Sequence, residues 1–182
     1  QSGEIGFCLI DAAPDWGDDP RAREAVAGPP AVAAAAKEGG FSDGVVRMPS
    51  GSLTVEQLTA ALTALPFDLT FVDAEDRVRY FTQGAERIFD RNVAILGRKV
   101  QQCHPPSSVH VVQQIVDDFR AGRRDRAPFW ITLHGRFVHI EYFAVRNPEG
   151  EYLGTLEVSQ DLTGLRRLQG EQRLLSYEER RS

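Results

Sequence analysis

The chain is short of cysteine and of long apolar runs, and each shortage removes a class of protein. Only Cys8 and Cys103 occur in 182 residues. Two cysteines so far apart do not build the disulfide framework of a small secreted domain, so both are read as reduced thiols. No apolar stretch approaches the ~18 residues that a membrane-spanning helix needs. The first residues lack the basic start, apolar centre and small-residue cleavage site of a signal peptide. The expected location is therefore the cytoplasm, with no membrane partner. Positive charge is not in excess either: the net charge is -5. That is the reverse of the basic footprint of a nucleic-acid-binding protein, and no nucleic acid is expected as a partner. Catalytic signatures are missing as well. There is no G-x-S-x-G, P-loop, H-E-x-x-H or Rossmann fingerprint, so the chain is not expected to be an enzyme.

What is present suffices for one packed domain with flanking segments. Hydrophobic residues make up 42% and charged residues 26%, the composition of a folded globular protein. Residues 1–50 read as an extension or linker, the tail of an upstream helical domain. Within them GEIGFCLI is a short apolar run, residues 31–38 are a short helix at best because Gly28, Pro29 and Pro30 interrupt the alanines, and 41–50 hold one short strand. Residues 51–66 read as a flanking helix. Ser52 or Thr54 caps it, Glu56 and Gln57 stand near the third position, and Leu58, Ala61, Leu62 and Leu65 form its apolar stripe before Pro66.

From residue 67 the period changes. Strands are expected at 69–72 and 78–81 around a turn at 73–76. A short helix follows at 84–89 with Ile88 and Phe89 inward, then another short segment at 94–100. The longest helix covers 107–120. Ser107 or Ser108 caps it, and Val111, Val112, Ile115, Val116 and Phe119 line one face. Strands at 128–133, 136–145 and 152–160 complete the unit, joined by a tight turn at Gly135 and by Asn147-Pro148-Glu149-Gly150. This order implies an α+β fold, an antiparallel sheet with helices on one face. Residues 164–182 read as a C-terminal signalling or docking helix, with Leu165, Leu168 and Leu175 at a/d-like spacing.

Several segments resemble one family. FVDAEDRVRYFTQGAERIF is similar to the opening hairpin and first helix of PAS domains. ILGRKVQQCHPP is similar to their approach to the long helix, and NPEGEYLGTLEVSQDLTGL to their closing hairpin, with Gly154 in the usual place. Asp161-Leu162-Thr163 stands where the family's D-(I/V)-T ending lies. The resemblance implies a PAS fold over 67–163 with a five-stranded antiparallel sheet, a sensory or regulatory role, and Asp161 and Thr163 as relay residues. CHPPSSVHVV, FWITLHGRFVHIEYFAVRN and SGSLTVEQLTAAL resemble the PAS domain that follows a hemerythrin-like cation-binding domain in a group of bacterial proteins. That implies an upstream hemerythrin-like domain as partner. No di-iron ligand set is visible here, since such a site needs several His and carboxylates on facing helices.

The candidate ligand-binding residues are Cys103, His104, His110, Val111, Ile115, Trp130, Tyr142 and Tyr80, around a pocket between helix 107–120 and the sheet. Arg79 and Arg136 are further rim candidates. Cys103, His104 and His110 suit zinc, iron or heme, although C-H-x₅-H matches no standard zinc spacing, and the bland reading is a stiff turn before a helix. Cys103 is either a redox-responsive thiol near a helix start or a small buried apolar residue. Flavin is not expected, because His104 and two prolines follow the cysteine. Alternation in 136–145 puts Val138, Ile140, Tyr142 and Ala144 toward the core, and Phe137, His139, Glu141 and Phe143 outward, with Glu157 expected beside His139 and Glu141. A one-residue slip would send His139 and Glu141 into the pocket instead. Two outward phenylalanines predict a cover, either the 54–65 helix or a second subunit, which makes a homodimer an expected partner. Three functions remain in view. One is a sensor of a small-molecule ligand or cofactor, another a ligand-free dimerisation module, and the third a heme- or metal-dependent redox or gas sensor.

Overall fold

Thr54 opens the first helix by a reciprocal exchange. Its hydroxyl accepts from the Gln57 amide at 3.1 Å, and its own amide donates to Gln57 Oε1 at 2.9 Å. Two donors that the helix start leaves over are thereby satisfied. In the computed structural model, which describes residues 40–171 except 43 and 86, this helix is α1 (Val55–Ala64). None of its residues is buried. A three-stranded antiparallel meander precedes it: β1 (Gly40–Ser42), β2 (Val45–Met48) and β3 (Gly51–Thr54). One strand was expected there. Strands of three or four residues carry too few side chains to show a period of two. The short helix at 31–38 and the GEIGFCLI segment lie outside the described residues.

The main sheet contains β4 (Asp68–Asp73), β5 (Val78–Phe81), β6 (Arg126–Leu133), β7 (Arg136–Arg146) and β8 (Tyr152–Asp161), in the order β5-β4-β8-β7-β6, all antiparallel. The β6–β7 hairpin turns on His134 and Gly135, both with positive φ, as a two-residue turn matched to strand twist requires. Gly154, at φ +152°, sits where a Cβ would come within 2.1 Å of the Val72 carbonyl oxygen, so only glycine lets β8 approach β4.

Helix α2 (Pro106–Arg120) lies across the sheet and buries Val112, Ile115, Val116 and Phe119. Neither Ser107 nor Ser108 caps it. The helix starts one residue earlier, on Pro106, which lacks an amide hydrogen and so leaves one fewer donor unsatisfied. The Pro105 carbonyl then accepts from the Ser108 and Val109 amides at 3.0 and 3.1 Å.

Two more elements differ from expectation. The described residues of 84–89 form no helix. Asp68 Oδ2 accepts from the Ile88 and Phe89 amides at 3.2 and 3.0 Å, and Arg87 donates to the Arg91 carbonyl at 2.7 Å. Side chains thus hold the backbone groups that helical bonds would use. Phe89 is nonetheless buried and Ile88 packs beside it, as the sequence suggested. Between 94 and 100 there is only a 3₁₀ turn (Val93–Ile95), with a second at Val100–Cys103. After β8 the chain makes one 3₁₀ turn, Leu165–Arg167, and becomes extended at Leu168. A continuous helix from 162 does not form within the described residues. Among the described residues Leu165 and Leu168 are left 54% and 73% exposed, and so short a helix is not stable without packing.

Most of the buried apolar side chains fall into two groups. One joins Phe89, Ile115, Phe119, Phe129, Val138, Ile140 and Tyr142. The other joins Val72, Val78, Phe81, Val100 and Val112. Both lie between α2 and the sheet.

Candidate functional site

A cavity occupies the seam between the two groups. Val72, Val78, Val100 and Val112 from one group line it, with Ile115 and Tyr142 from the other. Its volume is about 70 Å³. An ordered water needs roughly 10–15 Å³ counted in this way, so there is room for several waters or one small molecule. Asp90, Arg98 and Gln102 line it as well and are exposed, which makes them its mouth.

The two central strands turn their polar side chains toward this cavity. Register pairs Asp68 with Ser159, Thr70 with Glu157, and Val72 with Thr155, all on the α2 side. Leu69, Phe71, Leu156 and Val158 consequently face away from α2. Glu157 pairs with Tyr142 across β7–β8, so it lies inside, not beside His139 and Glu141 as expected. Val138, Ile140 and Tyr142 are buried on the same inner side, which settles the register of β7 and leaves His139 and Glu141 outside.

A buried ion group forms the floor. Arg91 donates from Nη1 to Asp68 Oδ1 at 2.6 Å and from Nη2 to Glu157 Oε1 at 2.8 Å. The Asp68 side chain is 0% exposed, and its second oxygen takes the two amides named above. Ser159 Oγ donates to Glu157 Oε1 at 3.3 Å. Charged groups this deep persist only when paired and hydrogen-bonded on most sides.

Among the described residues that line the cavity, two buried polar atoms have no protein partner. Thr70 Oγ1 is buried in a residue only 5% exposed, and His104 Nδ1 is buried at the same cavity. Burial, with a smaller push from Arg91, holds the His104 imidazole below its ordinary value against the pull of Glu157, so His104 is neutral at pH 7. Burial raises the Cys103 thiol, which Arg98 and Arg91 offset only in part. Cys103 is therefore a protonated thiol, donating weakly to the Lys99 carbonyl at 3.7 Å, and lacks the thiolate character of a reactive cysteine.

The candidate residues separate on this map. Cys103, His104, Ile115 and Tyr142 line the cavity. His110 is exposed on α2, and Val111 packs against the first apolar group instead. Tyr80 pairs with Phe71 on the side of the sheet away from α2. Trp130 is 62% exposed opposite His139 on that side. The Cys103–His104–His110 set is thus not assembled around one point. Among the described residues, no three His, Cys, Asp or Glu side chains converge to hold a metal. Arg79 pairs with Asp73, and Arg136 stands 3.8 Å from Asp161. The outer phenylalanines are covered by arginines: Arg166 lies 4.0 Å over Phe137, and Arg126 lies 5.3 Å over Phe143.

β8 connects the cavity to the end of the domain. Thr155 and Glu157 are on its inner face, and Asp161 and Thr163 follow at its exit. Asp161 Oδ1 accepts from the Thr163 amide at 2.8 Å, and Thr163 Oγ1 accepts from the Phe137 amide at 2.7 Å. The Leu162 amide donates to the Phe137 carbonyl at 2.9 Å. The Thr163 bonds hold the Asp161 carboxyl below its ordinary range, helped slightly by Arg136. These contacts clasp the exit to the first residues of β7.

An α+β unit with one long helix closed over a five-stranded antiparallel sheet, and a small cavity between them, is the class that fold and site define. A family model described as PAS domain matches residues 58–163, and the chain belongs to that family. A C-terminal domain from Streptococcus mutans is 32% identical, with a TM-score of 0.62, covering 74% of this chain and 98% of that one. The PAS domain of Bordetella pertussis BvgS is 20% identical (TM-score 0.47, covering 60% of this chain and 86% of that one). The PAS domain of a Colwellia psychrerythraea protein is 14% identical (TM-score 0.46, covering 60% and 98%). A search of curated proteins returns no match. Among the described residues no helix is long and apolar enough to cross a membrane.

Asp68, Thr70, Arg91 and Glu157 were not legible as site residues. Asp68 and Arg91 are 23 positions apart and Arg91 and Glu157 are 66 apart, so no local motif joins them. The available signal was phase: Asp68, Thr70 and Val72 alternate in step, as do Thr155, Glu157 and Ser159.

Proposed function

We propose that this chain is a sensory module that binds a small ligand in the α2–sheet cavity and passes the change along β8 to the Asp161–Thr163 clasp. The observation that carries this reading is the inverted polarity of β4 and β8. A strand that only fills a core turns its apolar side inward, yet these two bury Thr70, Thr155, Glu157 and Ser159 and leave Leu156 and Val158 on the far side. Buried hydroxyls without partners destabilise a fold and suit a site that a ligand completes. The clasp then gives the ligand a lever, because a shift of β8 changes whether the chain after Thr163 stays tied to Phe137. The resemblance of the upstream segments supports a hemerythrin-like domain as the partner that sends or receives the signal, in the cytoplasm.

Native mass spectrometry of the purified chain, set against its denatured mass, tests the first step. A non-covalent adduct, with slower hydrogen exchange in residues 152–163 than in the stripped chain, is the expected result. A bare mass, together with exchange in 152–163 that no added small molecule alters, would sink the reading.

Trp130 favours a second reading, self-association through the sheet face away from α2, which makes the chain a homodimer. An indole 62% exposed beside His139 is apolar surface that a second copy would bury. Sedimentation velocity tests it: a monomer at every concentration would remove it.

A further inference from the structure

The charges around the cavity say which kind of ligand it accepts, an inference that rests on reading the cavity as a ligand site. In the floor, the Arg91 guanidinium faces two carboxylates, Asp68 at 2.6 Å and Glu157 at 2.8 Å. Asp68 is satisfied on both oxygens, by Arg91 and by the Ile88 and Phe89 amides. The bonds to Glu157 from Arg91 and Ser159 both fall on Oε1. At the mouth Asp90 and Arg98 are exposed and of opposite sign, so they offset one another. Asp68 lies behind the cavity lining, and because it draws on Arg91 the Glu157 carboxylate that does line the cavity is only partly neutralised. Such a charge is costly in an apolar enclosure, and a cation or a set of N–H donors relieves it. An anionic ligand would instead add a third negative group to a guanidinium already shared by two.

The unpartnered atoms point the same way. Thr70 stands directly across the β4–β8 pair from Glu157, and its buried hydroxyl has no protein partner. A hydroxyl can accept the second hydrogen of an amine or amidine whose first hydrogen goes to Glu157. His104 Nδ1, also buried without a partner, borders the same space. Apart from Thr155 and Gln102, most of the remaining wall is apolar, with Val72, Val78, Val100, Val112 and Ile115. We propose that the cavity takes a small molecule bearing a protonated amine or amidine, with its N–H groups on Glu157 and Thr70 and its apolar body against Val72, Val112 and Ile115.

Three isosteres separate the possibilities: isobutyramidine, which is cationic, isobutyramide, which is neutral, and isobutyrate, which is anionic. Each is titrated into the ¹⁵N-labelled full chain while the amides of residues 70–72 and 155–157 are followed by NMR. The expected result is that isobutyramidine shifts these amides and binds at least about tenfold more tightly than isobutyrate, as one charge-assisted hydrogen bond provides. Glu157→Gln abolishes that preference. Thr70→Val leaves every ion pair in place and weakens the amidine about tenfold or more, the loss of one hydrogen bond from a charged donor. If isobutyrate or isobutyramide binds as tightly as the amidine, the amine class is wrong while the ligand site stands. If none of the three moves a cavity amide, both the class and the ligand site are refuted.

Discussion

Replacing Thr70 by valine tests the cavity in the absence of any ligand. The substitution exchanges a hydroxyl for a methyl of nearly the same volume, so it opens no void and forces no repacking. Thr70 Oγ1 is buried and has no hydrogen-bond partner, and the residue is 5% exposed. A buried hydroxyl without a partner costs about 1–3 kcal/mol, and the valine methyl adds apolar surface to a cavity wall that Val72 and Val78 also line. Thr70→Val is therefore expected to stabilise the chain by about 1–2 kcal/mol, the reverse of most core substitutions. In a chain of this size 1 kcal/mol moves Tm by about 2–4 °C, so Tm should rise by roughly 2–8 °C. Calorimetry reads Tm, and urea unfolding should show a higher midpoint at unchanged m. A loss of more than about 0.5 kcal/mol would refute the argument, because it would mean that the hydroxyl is bonded in the native protein. A gain in stability with a loss in ligand affinity is the pattern of a residue kept for binding and not for folding.

Gly154→Ala should destabilise by roughly 3 kcal/mol or more, since the new Cβ would meet the Val72 carbonyl at 2.1 Å in a backbone conformation unfavourable to alanine. Urea denaturation checks it, and a cost under about 1 kcal/mol would show that β4 and β8 separate easily. Thr163→Val removes the acceptor of the Phe137 amide, so exchange at Phe137 should quicken about tenfold while global stability falls by only about 1 kcal/mol. Equal loss of protection throughout the sheet would show that the clasp is part of the core and not a separable exit. His104 gives a pH dependence with a definite sign. Its folded-state value is depressed below 6.5, so the stability it contributes is present above 6.5 and is lost as pH falls from there through the folded value. Urea midpoints measured from pH 7.5 down to 5 should fall more steeply for the wild type than for His104→Gln, and a His104 imidazole titrating above 6.5 by NMR would contradict this.

Residue patterns made the frame of this fold legible and hid its interior chemistry. Helix α2 was readable because Val112, Ile115, Val116 and Phe119 keep the helical spacing over about two turns, and β7 because Val138, Ile140 and Tyr142 alternate with polar neighbours. The β1–β3 meander was not, since its strands are too short for a period to emerge. At 84–89 local helical preference lost to Asp68, which binds the Ile88 and Phe89 amides from a strand twenty residues away. Long-range capture of this kind leaves no trace in a local window.

Glu157 lies away from its expected place because β8 breaks the usual alternation rule. In β8 the apolar Leu156 and Val158 alternate with Thr155, Glu157 and Ser159, and the usual inference sends the apolar set inward. Pairing fixes the reverse, with Glu157 opposite Tyr142 on one side and Thr70 on the other. Local patterning and global fold disagree at this strand and at β4, whereas they agree at α2 and β7. Such disagreements are expected where a sequence is selected for a site as well as for stability. The inverted pair therefore marks the part of the molecule that folding alone does not explain, and that part coincides with the cavity, the buried Arg91 group and the start of the path to Asp161.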